Sequence, residues 1–455
     1  MRLCARCGEM ESRLSLKDKQ IRDLETKVVV LEYDLKQMRE KWFARKKKKS
    51  EEESTTEPKK RGAPKGHKGW FRKTPEKIDV VEDVALERCP NCASTDLSEC
   101  EEIDEHIQED IVLPKVKVTQ YRHRTYWCKG CKEVVMGKGK EEIPNSYIGA
   151  KAKGLAALLK YKVKIPQRGI QELFQQFFGL RFVPSSVPGF HNQVRNKGTD
   201  LYDKLKKEIK KAPFIHADET GCPMDGDNWW DWIFASSKIC LHAVQEGRGQ
   251  AEVESILGKT YNGILISDFL SAYNAIETKA KQRCLVHLLR DLKKALECTE
   301  PTDFVHIYCQ RLKDLIQAAV ALSENLHDKK ISQLEFKRQR KGLCDSLQDF
   351  QFPDPSKGIL RKLALRLKRH KNEMFTFLFH PGLPYHNNLA ERLIRPSVIM
   401  RKISFGHRSD NGIQNHNVLM TLQQTAQLNN KDPFVLFQKL LISPKPAQLS
   451  WCLSP

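Results

Sequence analysis

Three acidic residues stand where the strands of a sheet could bring them together. Asp218 ends the apolar segment 214–218 and Asp268 ends the apolar segment 263–268, and both segments have the composition of buried strands. We expect these two acids at the carboxyl ends of adjacent strands, with Glu391 joining them from a helix laid against the sheet. Hard divalent cations prefer carboxylate oxygens. Two cations about 3.5–4 Å apart can stabilise the attacking and leaving oxygens of a phosphodiester, so the pattern predicts chemistry on nucleic acid strands.

Each acid also has a simpler explanation. Asp218 could cap the turn before Thr220, and Asp268 could begin a helix after its strand. Glu391 could pair with Arg395 four residues later on the same helix. The order of the three acids, two strand ends followed by a helix, favours a shared catalytic role. It predicts a ribonuclease-H-like mixed sheet.

Four cysteines form a second candidate metal site. They are arranged as two Cys-x-x-Cys pairs separated by 35 residues. Two such pairs supply the four sulfur ligands of a tetrahedral structural zinc ion. Because residues 115–126 between the pairs alternate as a strand does, we expect a zinc ribbon. The predicted ligands are Cys89, Cys92, Cys128 and Cys131.

A heptad repeat runs through residues 14–42, where eight of the nine a and d positions are apolar. β-Branched Ile21 and Val28 at a, with Leu24 and Leu31 at d, favour a parallel two-stranded coiled coil. The alternative is an amphipathic helix packed on its own chain. We predict a homodimer joined through this segment.

A basic stretch follows the heptads. Residues 41–73 contain 13 lysines and arginines against 4 glutamates, and their glycines and prolines exclude a continuous helix. Such a segment would adhere to phosphates, although a solvated tether explains it too. The residues expected to contact DNA here are Lys65, His67 and Lys68.

Two helices separated by a turn are predicted between residues 168 and 195. The first covers residues 168–178, Gly179 marks the turn, and Ser185 or Ser186 caps the second. In a helix–turn–helix the second helix enters the major groove, although generic helix pairs give the same pattern. The residues expected to contact DNA are Arg168, Ser185, Ser186 and Arg195.

The remaining sequence alternates between strand and helix patterns. Strands are predicted at 229–235 and 239–244, helices at 250–257 and through 303–378, and a short helix that ends at Pro396. The fold class is therefore multidomain α/β. The predicted segments are 1–45 coiled coil, 46–80 basic linker, 81–145 zinc ribbon, 150–205 helix–turn–helix, 211–300 first catalytic part, 301–380 helical insertion and 381–445 last catalytic part.

The whole chain is strongly basic. Its 455 residues include 78 lysines and arginines against 57 aspartates and glutamates, a formal net charge of +21. Such a surplus favours a polyanionic partner, most often nucleic acid. No signal peptide and no apolar run of about 18 residues is apparent, so we expect a soluble, cytoplasmic protein. Cysteines there stay mostly reduced, which favours metal ligands over disulfides.

Several blocks of this sequence resemble the insertion-sequence-sixty-six (IS-sixty-six) family of transposases. The heptads, the block 62–69, the zinc ribbon and the helix–turn–helix resemble that family in order and spacing. The other similar blocks are His216-Ala-Asp-Glu-Thr220, Asp268 followed by Tyr273, Cys284-x-x-His287, Asn387-Asn-Leu-Ala-Glu-Arg-x-x-Arg-Pro396, and Arg401-Lys402 before Phe405-Gly406.

The resemblance implies a DDE-type DNA transposase, which binds the ends of an insertion sequence and performs metal-dependent strand cleavage and strand transfer. Asp218, Asp268 and Glu391 are then the catalytic acids that bind Mg²⁺ (or Mn²⁺), and a helical insertion separates the second and third. Element ends and target DNA are the implied partners, with accessory transposition proteins besides. The residues implied to shape the site are Cys284, His287, Asn388, Arg392 and Arg395, and those implied to contact DNA are Arg401 and Lys402.

Two positions depart from the family pattern. His386 stands where the family usually has an acid, and Leu389 stands where it has proline. Neither replaces a proposed ligand, but a protonated His386 would add positive charge near the site. Two alternatives therefore stay open: a catalytically inactive, transposase-derived regulator that binds DNA, and a ribonuclease-H-like nuclease without joining activity.

Overall fold

The computed structural model describes residues 115–351 and 358–453, together with residues 17, 75–81, 87, 91, 94–95 and 107–108. The predicted basic stretch lies outside the described residues, and so does the predicted coiled coil apart from Lys17. Cys89 and Cys92 lie outside them as well. Within the described part, no helix combines the length and the apolar composition that crossing a bilayer requires.

A small antiparallel hairpin comes first. It consists of β1 (Thr125–Cys128) and β2 (Glu133–Met136), with Cys128 opposite Glu133. The turn between the strands closes with a hydrogen bond from the Lys132 N–H to the Cys128 carbonyl at 2.9 Å. This turn holds the Cys128-x-x-Cys131 pair of the predicted ribbon.

Three helices follow: α1 (Ala150–Leu158), extended by one π-helical turn, α2 (Gln167–Phe178) and α3 (Ser186–Glu208). Gly179 ends α2 in the left-handed conformation (φ 68°), which glycine adopts without strain. Ser185 precedes α3, but its side chain makes no capping hydrogen bond. The second helix runs well past the predicted Arg195, because Leu201 and Leu205 are buried in the main core.

The central sheet has five strands in the order β5-β4-β3-β6-β7. β3 pairs with β6 in parallel and with β4 antiparallel, β4 pairs with β5 antiparallel, and β6 pairs with β7 in parallel. This mixed sheet confirms the predicted mixed α/β class. The strands are β3 (Phe214–Gly221), β4 (Trp230–Ala235), β5 (Cys240–Gln245), β6 (Thr260–Ser267) and β7 (Glu277–Arg283), with helix α4 (Gln250–Leu257) before β6.

Four helices come between the sheet and the last part of the chain. They pack Leu288, Leu312 and Leu367 into one core together with Ile264 and Ile266 of β6. This supports the prediction of a helical region after the second acid. The helices are α5 (Leu285–Glu297), α6 (Phe304–His327), α7 (Gln333–Asp349) and α8 (Gly358–His370).

The chain closes with four helices: α9 (Asn388–Ser404), α10 (Asp410–Leu428), α11 (Pro433–Ile442) and the short α12 (Ser450–Leu453). α10 covers the edge strand β5. The β5 N–H groups of Cys240, His242 and Val244 donate to α10 side chains at 2.8–3.2 Å. An edge strand covered in this way is closed to pairing with another chain. The accepting side chains are Asn417, Thr421 and Thr425.

The predicted end of the helix at Pro396 is wrong. α9 continues through Pro396 to Ser404, a length of 17 residues. Proline costs the helix one hydrogen bond and crowds the preceding turn. Burial offsets that cost here, because Ile394 and Ala390 pack on the sheet before the proline and Met400 enters the main core after it.

Candidate active site

Asp218 lies on β3, and Asp268 directly follows the neighbouring strand β6, at the same edge of the sheet. The parallel pairing of β3 with β6 ends at the partners His216 and Ile266. Each acid lies two residues beyond its member of that pair. The structure therefore brings the first two predicted acids together.

Asp218 lies inside a strand, which corrects the expectation that it ends one. β3 continues to Gly221 because β4 keeps pairing with it, and Asp218 stands opposite Ile233. Successive side chains on a strand point to opposite faces. Ile233 packs against Ala390 of α9, so the face that carries Asp218 is the face on which the helix of Glu391 lies.

Asn387 fastens α9 to β3. Its side-chain amide donates to the Ala217 carbonyl at 2.8 Å, and its Oδ1 lies 3.1 Å from Nδ1 of His216. Its backbone N–H donates to Sγ of Cys284 at 3.2 Å. The residue is fully buried, whereas the predicted site-shaping residue Asn388 is exposed. The first asparagine of the pair therefore positions the helix, and only its place directly before the helix could have indicated this.

The acids repel one another in a partly dry site. Burial raises the pKa of the Asp218 carboxyl to about 8, and the charges of Glu219, Asp268 and Glu391 push it in the same direction. A hydrogen bond from the Glu219 N–H to Asp218 Oδ1 at 2.9 Å opposes the shift. Close carboxylates without a countercharge resist ionisation together.

Glu391 lies against two side chains of α5, an imidazole and a guanidinium. Nδ1 of His287 lies 3.7 Å from one carboxylate oxygen, and the Arg290 guanidinium lies 3.4 Å from the other. The oxygen near His287 is buried and has no hydrogen-bond partner among the described residues. Glu391 therefore contacts Arg290, where the sequence had suggested a pairing with Arg395. The sequence analysis missed Arg290, although it lies one helical turn after His287.

The Cys-x-x-His pair stands beside the third acid. A ligand atom of Cys284, one of His287 and one of Glu391 lie within 4.8 Å of one another. Cys284 is buried, and its sulfur accepts the Asn387 N–H at 3.2 Å. The pair lies in the site, as predicted. Of the other predicted residues, Arg392 and Arg395 are exposed on α9.

Glu219 belongs to the opposite face of β3. Its carboxylate accepts from Arg248 at 2.7 Å and from the Tyr273 hydroxyl at 2.8 Å. Burial raises its pKa, and the nearby charge of Asp268 adds to the shift. Glu219 is therefore satisfied by its own partners but still senses the second acid.

The residues fit a divalent cation. Burial and the neighbouring carboxylates disfavour ionisation of Asp218, and a buried oxygen of Glu391 has no hydrogen-bond partner among the described residues. Both features are relieved by a bound positive charge. Oxygen ligands of this kind suit magnesium or manganese.

The predicted DNA contacts fall into two groups. Arg168, Ser185 and Lys402 are exposed and Ser186 is half-buried. Arg195 is buried, and its guanidinium donates to side chains of α10, Asn411 at 2.9 Å and Gln414 at 2.7 Å. These contacts tie α3 to α10, so we leave Arg195 out of the interface proposed below.

Arg401 is half-buried, and its guanidinium donates to the Gly221 carbonyl at the end of β3. Among the predicted zinc ligands, hydrogen bonds from the backbone and side chain of Cys131 lower the pKa of the Cys128 thiol. A thiol that ionises readily is a good metal ligand. Its predicted partners Cys89 and Cys92 lie outside the described residues.

Comparison with known proteins gives the context of this site. The family model described as Transposase IS66 family matches residues 145–415. The uncharacterized protein y4qI of Sinorhizobium fredii (strain NBRC 101917 / NGR234) is 24% identical over 412 residues, which cover 82% of this chain and 74% of that protein. A second uncharacterized protein of that organism, y4jO, is 37% identical over 68 residues, 15% of this chain and 21% of its own.

The matched region contains the whole central sheet, all three acids and the helices between them. It covers more than half of the chain. The predicted resemblance is thereby confirmed. This chain belongs to the IS66 family of transposases.

Proposed function

We propose that this protein is a DNA transposase that binds the ends of an insertion sequence and catalyses metal-dependent strand cleavage and strand transfer. The observation that carries the proposal is the approach of Asp218, Asp268 and Glu391 from two strand ends and a helix, in a site where burial, and then the charges of Glu219, Asp268 and Glu391, raise the pKa of Asp218. Placing acids close together in a partly buried site costs stability. Acids grouped at such a cost in stability are expected at a functional site.

The strand order supports a ribonuclease-H-like catalytic domain. Three consecutive strands, β3 to β5, form an antiparallel meander, and β6 and β7 then add in parallel on the other side of β3. The first strand of the meander thus becomes the centre of the sheet. That central strand carries the first acid and its neighbour β6 leads into the second.

The residues divide the work. Asp218, Asp268 and Glu391 would hold Mg²⁺ or Mn²⁺, and bound divalent ions stabilise the attacking and leaving oxygens of a phosphodiester. Asn387 keeps α9 at the distance from β3 that lets Glu391 reach the site. His287 and Arg290 orient the Glu391 carboxylate and offset part of its charge.

The rest of the chain would bind the DNA and bring its ends together. The exposed residues Arg168, Ser185 and Lys402, with Ser186 and Arg401, are proposed contacts, and Lys65, His67 and Lys68 of the basic stretch join them. The zinc ribbon, through Cys89, Cys92, Cys128 and Cys131, and a homodimer formed by residues 14–42 would assemble the paired ends.

The experiment tests the acids with substitutions that remove charge and keep shape: Asp218→Asn, Asp268→Asn and Glu391→Gln. The substrate is a plasmid that carries the inverted repeats flanking the gene, incubated with the full-length protein and Mg²⁺. Each variant should bind the ends as wild type does but cleave them about 1,000-fold more slowly or worse, equivalent to roughly 4 kcal/mol of transition-state stabilisation. Joining of pre-cut ends should fall as far.

Asp291→Asn is the matched control, because Asp291 lies on α5 and is paired with Arg366 and Lys362 rather than with the site. It should cleave within about threefold of wild type, equivalent to less than 1 kcal/mol. Wild-type protein that binds the repeats without cutting them would identify the inactive regulator. Cutting without any joined product would identify the nuclease.

A further inference from the structure

A second cluster of buried metal-ligand side chains lies outside the acid site. One ligand atom each of Cys222, His407 and His416 lie within 4.8 Å of one another. Cys222 and His416 are almost fully buried, at 5% and 1% exposed. The three come from different parts of the fold: the turn after β3, the loop between α9 and α10, and α10 itself.

The hydrogen bonds of His416 show which of its nitrogens is free to bind an ion. Nε2 lies 3.0 Å from Oδ2 of Asp231. A carboxylate only accepts, so Nε2 carries the hydrogen and Nδ1 of the neutral ring presents a lone pair. That Nδ1 is buried and has no hydrogen-bond partner among the described residues. A buried polar atom in this state calls for an explanation, and an absent ion is one.

The arrangement around His416 is that of a metal ligand. Histidines that bind metals usually donate their second ring N–H to a carboxylate, which fixes the tautomer and the ring orientation. Asp231 plays this part here, and it is fully buried between His416 and His242, at 3.0 and 2.9 Å. The contact distances mark Asp231 as a hydrogen-bond acceptor of both rings.

The backbone holds the ligands in place. The His407 N–H donates to the Pro223 carbonyl, and the Asp225 N–H donates to the His407 carbonyl, both at 2.8 Å. Gly406 makes this approach possible: its φ is +124°, and a Cβ there would lie 2.3 Å from the Pro223 oxygen. The loop that carries His407 is therefore tied to the segment that carries Cys222 before any ion binds.

We propose that Cys222, His407 and His416 bind a zinc ion, with Asp231 as the hydrogen-bond partner that orients His416. One thiolate and two imidazoles suit zinc, and three protein ligands leave one tetrahedral position for water. The ion would fasten the loop after α9 to the turn after β3. None of its ligands is one of the three acids, so we assign the ion a structural role and no part in the cleavage chemistry.

The test measures metal rather than transposition, so its outcome is independent of the function proposed above. Full-length protein purified under reducing conditions without chelators is analysed for zinc, and Cys222→Ser and His407→Gln are compared with it. Each variant should lose about one zinc per chain. Replacement by Co²⁺ should give the wild type a thiolate-to-cobalt charge-transfer band that is weaker in both variants.

Cys309→Ser is the matched control, since Cys309 is a buried cysteine of α6 in another core, and it should keep the full zinc content. Cys128→Ser reports the predicted ribbon zinc separately. If Cys222→Ser does not fold, His407→Gln decides, because it changes a half-buried loop residue. Zinc content and cobalt band that stay at the wild-type level in folded His407→Gln would overturn the proposal.

Discussion

Asp218 and Asp231 are both aspartates on neighbouring strands of one sheet, and the fold treats them in opposite ways. Asp231 is fully buried, and although burial opposes its ionisation, His242 and His416 hold the pKa of its carboxyl well below the usual range. Asp218 meets other acids instead, and burial and those charges raise its pKa to about 8. Histidines within the protein compensate the charge of Asp231. The charge of Asp218 is left to be compensated by a bound cation.

The comparison distinguishes an acid whose charge is compensated within the fold from an acid that we propose binds a cation. The pKa of His242 is raised well above its usual value: burial opposes this, but the charge of Asp231 outweighs it. The Asp231 site is thus a closed ion pair. The Asp218 site lacks such a counterion from its own strands, which is the condition in which a cation binds with most gain.

The largest expected effect is on the closed pair. Asp231→Asn removes the buried negative charge and leaves the charged His242 uncompensated. Because breaking a buried pair strands its partner, unfolding free energy should fall by about 3–5 kcal/mol. The midpoint of denaturant unfolding at pH 7 measures this, and a change below about 1 kcal/mol would mean that His242 is neutral and the two acids are less different than we hold.

The same kind of substitution at Asp218 should change the free energy of unfolding in the opposite direction. The pKa of Asp218 is raised in the folded state. Its contribution to stability is therefore fully present below the unfolded-state pKa near 3.8 and is lost as the pH rises through about 8. Asp218→Asn removes this loss. In magnesium-free buffer at pH 8 it should stabilise the protein by roughly 2–3 kcal/mol, since one pKa unit equals about 1.4 kcal/mol and relaxation relieves part of the cost.

The gain at Asp218 should vanish at pH 4, where wild-type Asp218 is protonated in the folded state. It should also shrink when Mg²⁺ is added, because the ion stabilises only the wild-type site. Thermal unfolding at the two pH values, with and without Mg²⁺, gives the four numbers. Equal effects at pH 4 and pH 8 would show that the charge of Asp218 is not the cause.

The smallest effect is expected at Glu219, the acid next to Asp218. Glu219→Gln keeps one side-chain oxygen that can accept from Arg248, and its amide N–H can donate to the Tyr273 hydroxyl, so its cleavage rate should stay within about tenfold of wild type, equivalent to about 1.4 kcal/mol. The same plasmid assay measures it. A loss equal to that of Asp218→Asn would place Glu219 among the ligands and remove the distinction between the two faces of β3.

The sequence predicted the acids better than it predicted what positions them. Apolar segments before Asp218 and Asp268 are local signals, and local signals survive without knowledge of the fold. β7 was not predicted, because Glu277–Arg283 shows no apolar alternation and only its last two residues are buried. A charged strand of this kind forms because β6 offers it a partner, which a window of sequence does not contain.

Long-range contacts were beyond the sequence altogether. Arg195 was expected to contact DNA, but it donates to residues more than 200 positions away. Asp231, His242 and His416 are scattered in the chain and follow no motif, so their cluster is visible only in the fold. Asn387 was noted only as part of the block that ends at Pro396, and its hydrogen bond to β3 was not foreseen.

The hydrogen bond from Asn387 to the Ala217 carbonyl joins residues 170 positions apart. During synthesis Asp218 and Asp268 leave the ribosome long before Glu391 does, and the helices α5 to α8 are made in the interval. With the acids and the DNA contacts assigned as proposed, a truncated or half-made chain would bind DNA through its early segments but would not cut it. The protein would therefore become able to cut DNA only when its synthesis is nearly complete. The order of the acids along the chain would thus prevent cleavage by incomplete protein.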